Sequence, residues 1–119
     1  MKNEAETAKD RWPILLRMVR DFFPGGNIRI IDKAGGNRYW KVGIATKKDG
    51  LDREIFIKVR QKVMTHPEAD YRSCFSQALQ EAERILDLPL SSTQFLGTIF
   101  VDVDGVHYHA GENLNDDWW

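Results

Sequence analysis

The chain has one cysteine, Cys74. No intramolecular disulfide is possible, and a zinc site built on cysteine thiolates is excluded. Nowhere does an apolar run approach the ~18–20 residues that a membrane span requires. Residues 1–10 are polar and hold no apolar stretch, so no secretory signal is expected, no membrane is expected as a partner, and the cytoplasm is the expected compartment. Gly-x-Ser-x-Gly is missing, as are a phosphate-binding glycine loop and any Cys/His pair at informative spacing. Ala34-Gly35-Gly36-Asn37 is too short and wrongly placed to cradle a nucleotide and reads as a turn. No cofactor is expected, and catalysis is the disfavoured class. Internal repeats and low-complexity segments are also missing.

What is present fits a single α+β domain over residues 1–119, with 1–9 and 111–119 as flexible ends. A chain of this length buries roughly two-thirds of its unfolded surface, enough for a core without staples. Four Trp, six Phe and three Tyr supply the bulk for that core. The net charge is −1, but it is unevenly spread. Residues 27–62 hold ten basic against four acidic side chains, a net of +6, and residues 63–119 hold two against ten, a net of −8. Such polarity predicts either a polarised surface or two halves that neutralise each other.

Taken in order, Asp10 is an N-cap candidate and Pro13 suits a first turn, with Ile14, Leu15, Met18, Val19, Phe22 and Phe23 forming an apolar stripe over a helix at 10–23. Pro24-Gly25-Gly26-Asn27 stops it. Asn27–Lys33 reads as a short strand. Two further strands follow, alternating with a period of two: Trp40, Val42 and Ile44, then Ile55, Ile57 and Val59. Lys47-Lys48-Asp49-Gly50 turns between them. The short links exclude a parallel arrangement among these three strands. Thr65-His66-Pro67-Glu68 has the capping-box pattern. The helix after it carries Tyr71, Cys74, Phe75, Ala78, Leu79, Ala82, Ile85 and Leu86 on one face and ends near Asp87, ahead of Pro89. Leu90–Thr93 reads as a loop. Thr98–Val103 and Val106–His109 form a last hairpin around Asp104-Gly105, with Gly97 marking a bulge or a strand start. The expected architecture is a two-layer sandwich of order α-β-β-β-α-β-β. Its antiparallel sheet combines a three-stranded meander with a C-terminal hairpin, both helices cover one face, and the other face is left to water.

That open face is the main functional lead. If the alternating apolar set faces the helices, Tyr39, Lys41, Phe56, Lys58 and Arg60 share the far side. Rings between cations suit stacking on bases with the cations on phosphates, or docking of a protein. The plain structural alternative is cross-strand pairing of rings and long basic stems on a solvated sheet. The order helix-strand-strand-strand-helix is also that of double-stranded-RNA-binding domains. Those domains place lysines at the start of the last helix, where this chain has Thr65-His66-Pro67-Glu68-Ala69-Asp70, so membership does not follow.

Two further features stand out. His107 and His109 lie two apart on a strand, near Asp102 and Asp104, and are the nearest the chain comes to a metal-ligand set; no third ligand is fixed by spacing, and no metal is expected. Asp116-Asp117-Trp118-Trp119 joins two acids to two indoles. It reads as a docking tail for a basic, apolar pocket on a partner, or as a segment that folds back over the domain's own basic sheet face. The favoured function is a non-enzymatic accessory protein that binds a protein partner, such as an inhibitor, immunity protein or phage-type antagonist of bacterial or phage origin, through Tyr39, Lys41, Phe56, Lys58, Arg60, Trp118 and Trp119. Nucleic-acid binding through the same sheet face is the alternative, although a pI near 6.3 is low for a dedicated binder. Metal-dependent activity at His107 and His109 ranks third. Oligomeric state is left open.

Overall fold

Strand alternation at residues 39–60 produces the hairpin around which the sheet assembles. The computed structural model describes residues 4–25, 27–31, 39–48, 50–65, 70–88 and 95–110. Its elements run α1 (Glu4–Phe22), β1 (Asn27–Ile31), β2 (Tyr39–Lys48), β3 (Leu51–Arg60), α2 (Gln61–Thr65), α3 (Tyr71–Leu86), β4 (Phe95–Asp102) and β5 (Gly105–Ala110). The five strands form one sheet in the order β1-β2-β3-β4-β5. The protein is thus α+β. No described helix is long and apolar enough to cross a membrane.

β1 pairs with β2, β2 with β3, and β4 with β5, all antiparallel. The expected all-antiparallel sheet is nevertheless wrong, because β3 and β4 run parallel. The short links within residues 27–60 forbid a crossover, whereas the connection from Arg60 to Phe95 contains α2 and α3 and has room for one. The helix layer is also richer than expected, with three helices among the described residues rather than two.

One core joins the layers. Trp40, Val42, Ile44, Ile55, Ile57 and Val59 are buried on the sheet's inner face, as their alternation requires. They pack with Trp12, Leu15, Leu16 and Val19 of α1, Val63 and Met64 of α2, and the apolar stripe of α3. Trp12 and Trp40 bring their rings to 5.5 Å at 43°, a tilted pairing that adds to the area they bury. Arg11 fastens α1 to the next helices: it donates to the Met64 carbonyl at the end of α2 and stacks its guanidinium 4.9 Å from the Tyr71 ring.

Several element boundaries differ from the sequence reading. α1 begins at Glu4 rather than near Asp10, and Pro13 therefore lies inside the helix and not in its first turn. Glu, Ala and Lys before Asp10 are strong helix formers that extend it backward. Thr65 does not open a helix. It closes α2, its hydroxyl donating to the Gln61 carbonyl at 3.1 Å. The N-cap of α3 is Asp70, whose carboxylate accepts from the Ser73 amide at 3.2 Å. The β4–β5 turn centres on Val103 and Asp104, with Asp102 paired to Gly105, so Gly105 opens β5 rather than sitting in the turn. The loop at Leu90–Thr93 and residues 111–119 lie outside the described residues.

The C-terminus of α3 shows how the layers lock. A helix leaves its last carbonyls without intrahelical donors. Arg53 of β3, buried among apolar neighbours, donates Nη1 to the Leu86 carbonyl at 3.0 Å and to the Leu88 carbonyl. Replacing it with Met keeps the stem and removes the donor. Arg53→Met is expected to cost about 2–3 kcal/mol of stability in urea unfolding, from loss of charge-assisted bonds to buried acceptors.

Gly97 sits where the register of β4 on β3 shifts, between the Glu54–Phe95 and Ile55–Gly97 pairs. Its φ is +134°, and a Cβ there would stand 2.2 Å from the His109 carbonyl and 2.9 Å from the Tyr108 ring. Tyr108 lies across this gap and donates its hydroxyl to the Leu96 carbonyl. Gly105 has a similar φ of +141° but open space around it. Gly97→Ala therefore combines backbone strain with a backbone clash and is expected to cost ~3 kcal/mol, whereas Gly105→Ala carries strain alone and costs ~1 kcal/mol. Thermal melts of the two variants read the difference.

Candidate functional site: the cation–aromatic face of the sheet

The far face of the sheet is built in rows set by register. Lys41 pairs with Lys58, Lys58 with Phe100, and Phe100 with His107. The next row runs Gly43, Phe56, Thr98, His109. At the strand end Tyr39 pairs with Arg60, and Arg60 Nε reaches Asp102 Oδ2 at 3.2 Å. All these positions alternate with the core residues, so the pleat puts them on the side away from the helices.

Side-chain packing turns these rows into a lattice. Lys41 Nζ lies 4.7 Å from the Phe56 ring, and Phe56 packs on Phe95 at 5.0 Å. Lys58 Nζ lies 5.5 Å from Phe100, which meets His109 edge-on at 5.2 Å. Gly43, opposite Phe56 in the ladder, adds no side chain to this crowd. His107 points instead to Asp104, with Nε2 and Oδ1 3.3 Å apart.

The face is not left to water. Lys58 is 1% exposed, Phe100 1% and Lys41 8%. Phe100 is buried yet does not belong to the core beneath the helices. It marks a second, smaller apolar cluster on the opposite side of the sheet. Thr98 is fully buried here too, and its Oγ1 has no hydrogen-bond partner among the described residues. The expectation of a solvated face fails: both lysines are buried, Lys41 with its ammonium beside the Phe56 ring and Lys58 with its ammonium beside Phe100.

The electrostatics follow from this packing. Two ammonium groups directly across a ladder repel each other. Taking each out of water costs several kcal/mol. A cation–π contact returns about 0.5–2 kcal/mol. A ring contact of this size offsets only part of the cost of burying a cation.

Of the residues singled out from sequence, Lys41, Phe56, Lys58 and Arg60 come together as expected. Tyr39 occupies the right register position; Trp118 and Trp119 lie outside the described residues. His107 and His109 share the face but part company, one toward Asp104 and the other onto Phe100. No group of three metal-ligating side chains occurs among the described residues. Phe95, Thr98 and Phe100 were missed. Phe95 and Phe100 are an odd number of residues apart and would lie on opposite faces of a regular strand; the shift at Gly97 brings them to the same one.

The other chemistry-bearing groups lie elsewhere. Cys74 packs against the helix-side core, and burial, then the neighbouring Asp70 charge, push its thiol up. It is thus a poor nucleophile. An open groove of about 730 Å³ runs between the end of α1, the end of β2 and the C-terminus of α3, lined by Phe23, Thr46, Lys47, Arg84, Asp87 and Leu88 among others. Its charges are mixed, and no catalytic pair lines it.

Comparison with known protein families, with curated proteins and with solved structures finds no match for this chain.

Proposed function

We propose that the protein is a non-catalytic accessory module that binds a partner protein, and that the cation–aromatic face takes an extended partner segment carrying acids beside aromatic side chains. The observation that carries this reading is the burial of Lys41 and Lys58 among Phe56, Phe95 and Phe100. A rigid ring lattice around cations recognises carboxylates and aromatic rings together, and costs little entropy on binding because its side chains are already ordered. An inhibitor, immunity protein or phage-type antagonist is the kind of accessory protein these features fit.

Nucleic acid is the competing ligand for such a surface. Phosphate recognition draws on accessible, mobile cations spread along a groove. Here the lysines are enclosed, Arg60 is engaged with Asp102, and the whole chain is slightly acidic. These features favour the protein partner.

Residues 116–119 are themselves acidic and aromatic, so the test uses the full chain both as it is and with D116N/D117N/W118A/W119A. A labelled peptide carrying two Asp followed by two Trp is expected to bind the substituted chain, measured by fluorescence anisotropy. Its affinity is expected to fall by roughly tenfold from low to physiological salt. Lys41→Glu is expected to abolish binding. Failure of every acidic–aromatic peptide, or tighter binding of mixed-sequence single-stranded RNA, would falsify the protein-docking reading.

A further inference from the structure

We infer that the β4–β5 turn modifies itself: the main-chain nitrogen of Gly105 closes on the Asp104 side chain to form a cyclic imide, His107 donates the proton, and hydrolysis leaves isoaspartate at position 104. Among the described residues, Asp104 is the one aspartate followed by glycine. A side chain on the following residue crowds the attacking nitrogen, and glycine has none. A Cβ at Gly105 would meet nothing within 4 Å, so the space beside the reacting peptide is open. The Asp104 side chain is itself 73% exposed. Asp70 and Asp102 differ on each count. Their carboxylates accept from the Ser73 and Val103 amides, and bulky Tyr71 and Val103 follow them.

In the first step the Gly105 nitrogen bonds to Asp104 Cγ and a Cγ–Oδ bond breaks. The departing oxygen leaves as water, with one proton from the imidazolium and one from the amide, and nothing is oxidised or reduced. An ionised carboxylate alone reacts poorly, because its oxygen would have to leave without a proton. His107 Nε2 lies 3.3 Å from Asp104 Oδ1. An imidazolium beside a carboxylate holds as many protons as a neutral imidazole beside a carboxylic acid, so the proton that the step consumes is kept at the leaving oxygen. Nothing else in the turn draws His107 away: Asp102 is taken by Arg60 and the Val103 amide, and Phe100, opposite His107 in the ladder, carries no charge. Water then opens the imide at either carbonyl. One opening restores aspartate. The other routes the main chain through the side-chain carbon and adds a methylene to it. β5 pairs with β4 without a shift from Asp102–Gly105 to Gly97–Ala110, so the added methylene falls at the closing pair of the hairpin. The chain thus acquires a slow covalent mark beside the row that holds Phe100 and His107.

Holding the full chain for weeks at about pH 6, within the range where histidines change charge, tests the inference with no added reagent. Digestion with a protease that cuts before aspartate but not before isoaspartate, followed by mass spectrometry, reads both products. The imide gives a peptide lighter by one water, and isoaspartate gives an uncut peptide of unchanged mass. Both are expected at Asp104, and at neither Asp70 nor Asp102. His107→Gln keeps a polar side chain of similar size that cannot supply the proton. It is expected to slow the change about three- to tenfold, less than the ~100-fold of a fixed enzymatic acid because this pair is exposed. Repeating both incubations in unfolding urea keeps the sequence and removes the geometry, and there the two chains are expected to react alike. Equal rates for the two folded chains overturn the inference. So does a rate difference that survives unfolding, or the absence of both products at Asp104.

Discussion

The parallel joint between β3 and β4 is the constraint from which the rest follows, and Arg53 helps to place it. By holding the last carbonyls of α3, Arg53 brings the end of that helix beside the start of β3. The chain then re-enters the sheet at Phe95, opposite Glu54, near the end where β3 begins. From there it can run only alongside β3 in the same direction. An antiparallel β4 would have to enter from the Arg60 end, away from where α3 deposits it. The same joint sets Phe95 and Phe100 beside Phe56 and Lys58. One buried guanidinium on the helix side thus helps to determine what stands on the opposite side of the sheet.

Much of the scaffold was legible because its signals are local. The alternation at Trp40–Ile44 and Ile55–Val59 named both the strands and the buried face, and the stripe of α3 named the helix and its end near Asp87. The sites of failure share a cause: each depends on a contact remote in sequence or on one extra residue. Thr65 and Asp70 both look like N-caps, and only the folded chain chooses between them. Arg53 reads as another cation on a polar turn until α3 arrives to meet it. Gly97 was recognisable as a possible bulge, but its consequence, the transfer of Phe95 to the face of Phe100, depends on which strand β4 joins and in what register.

The candidate site was half visible for the same reason. Lys41, Phe56, Lys58 and Arg60 come from one hairpin whose register is fixed by a tight turn at Gly50, with φ of +79°. Their grouping is a local property. Phe100 and His109 come from the second hairpin, and the place of Phe100 beside Lys58, with His109 edge-on to it, is a property of the parallel joint. Composition hinted at one further link. The basic stretch 27–62 and the acidic stretch 63–119 meet at Arg60 and Asp102, so the two halves do neutralise each other at one point on this face.

That pair also shows why Lys41 and Lys58 differ from the other cations. Arg60 lies at the strand end, half-buried, where an acid from β4 can reach it and water screens what remains. Lys41 and Lys58 lie inward along the same strands, directly opposed, with rings on either side and little solvent. A sheet designed only for stability would place apolar residues there, since removing a buried charge and filling its space is often neutral or stabilising. On the reading proposed above, keeping two opposed lysines there gives up some of that stability for recognition.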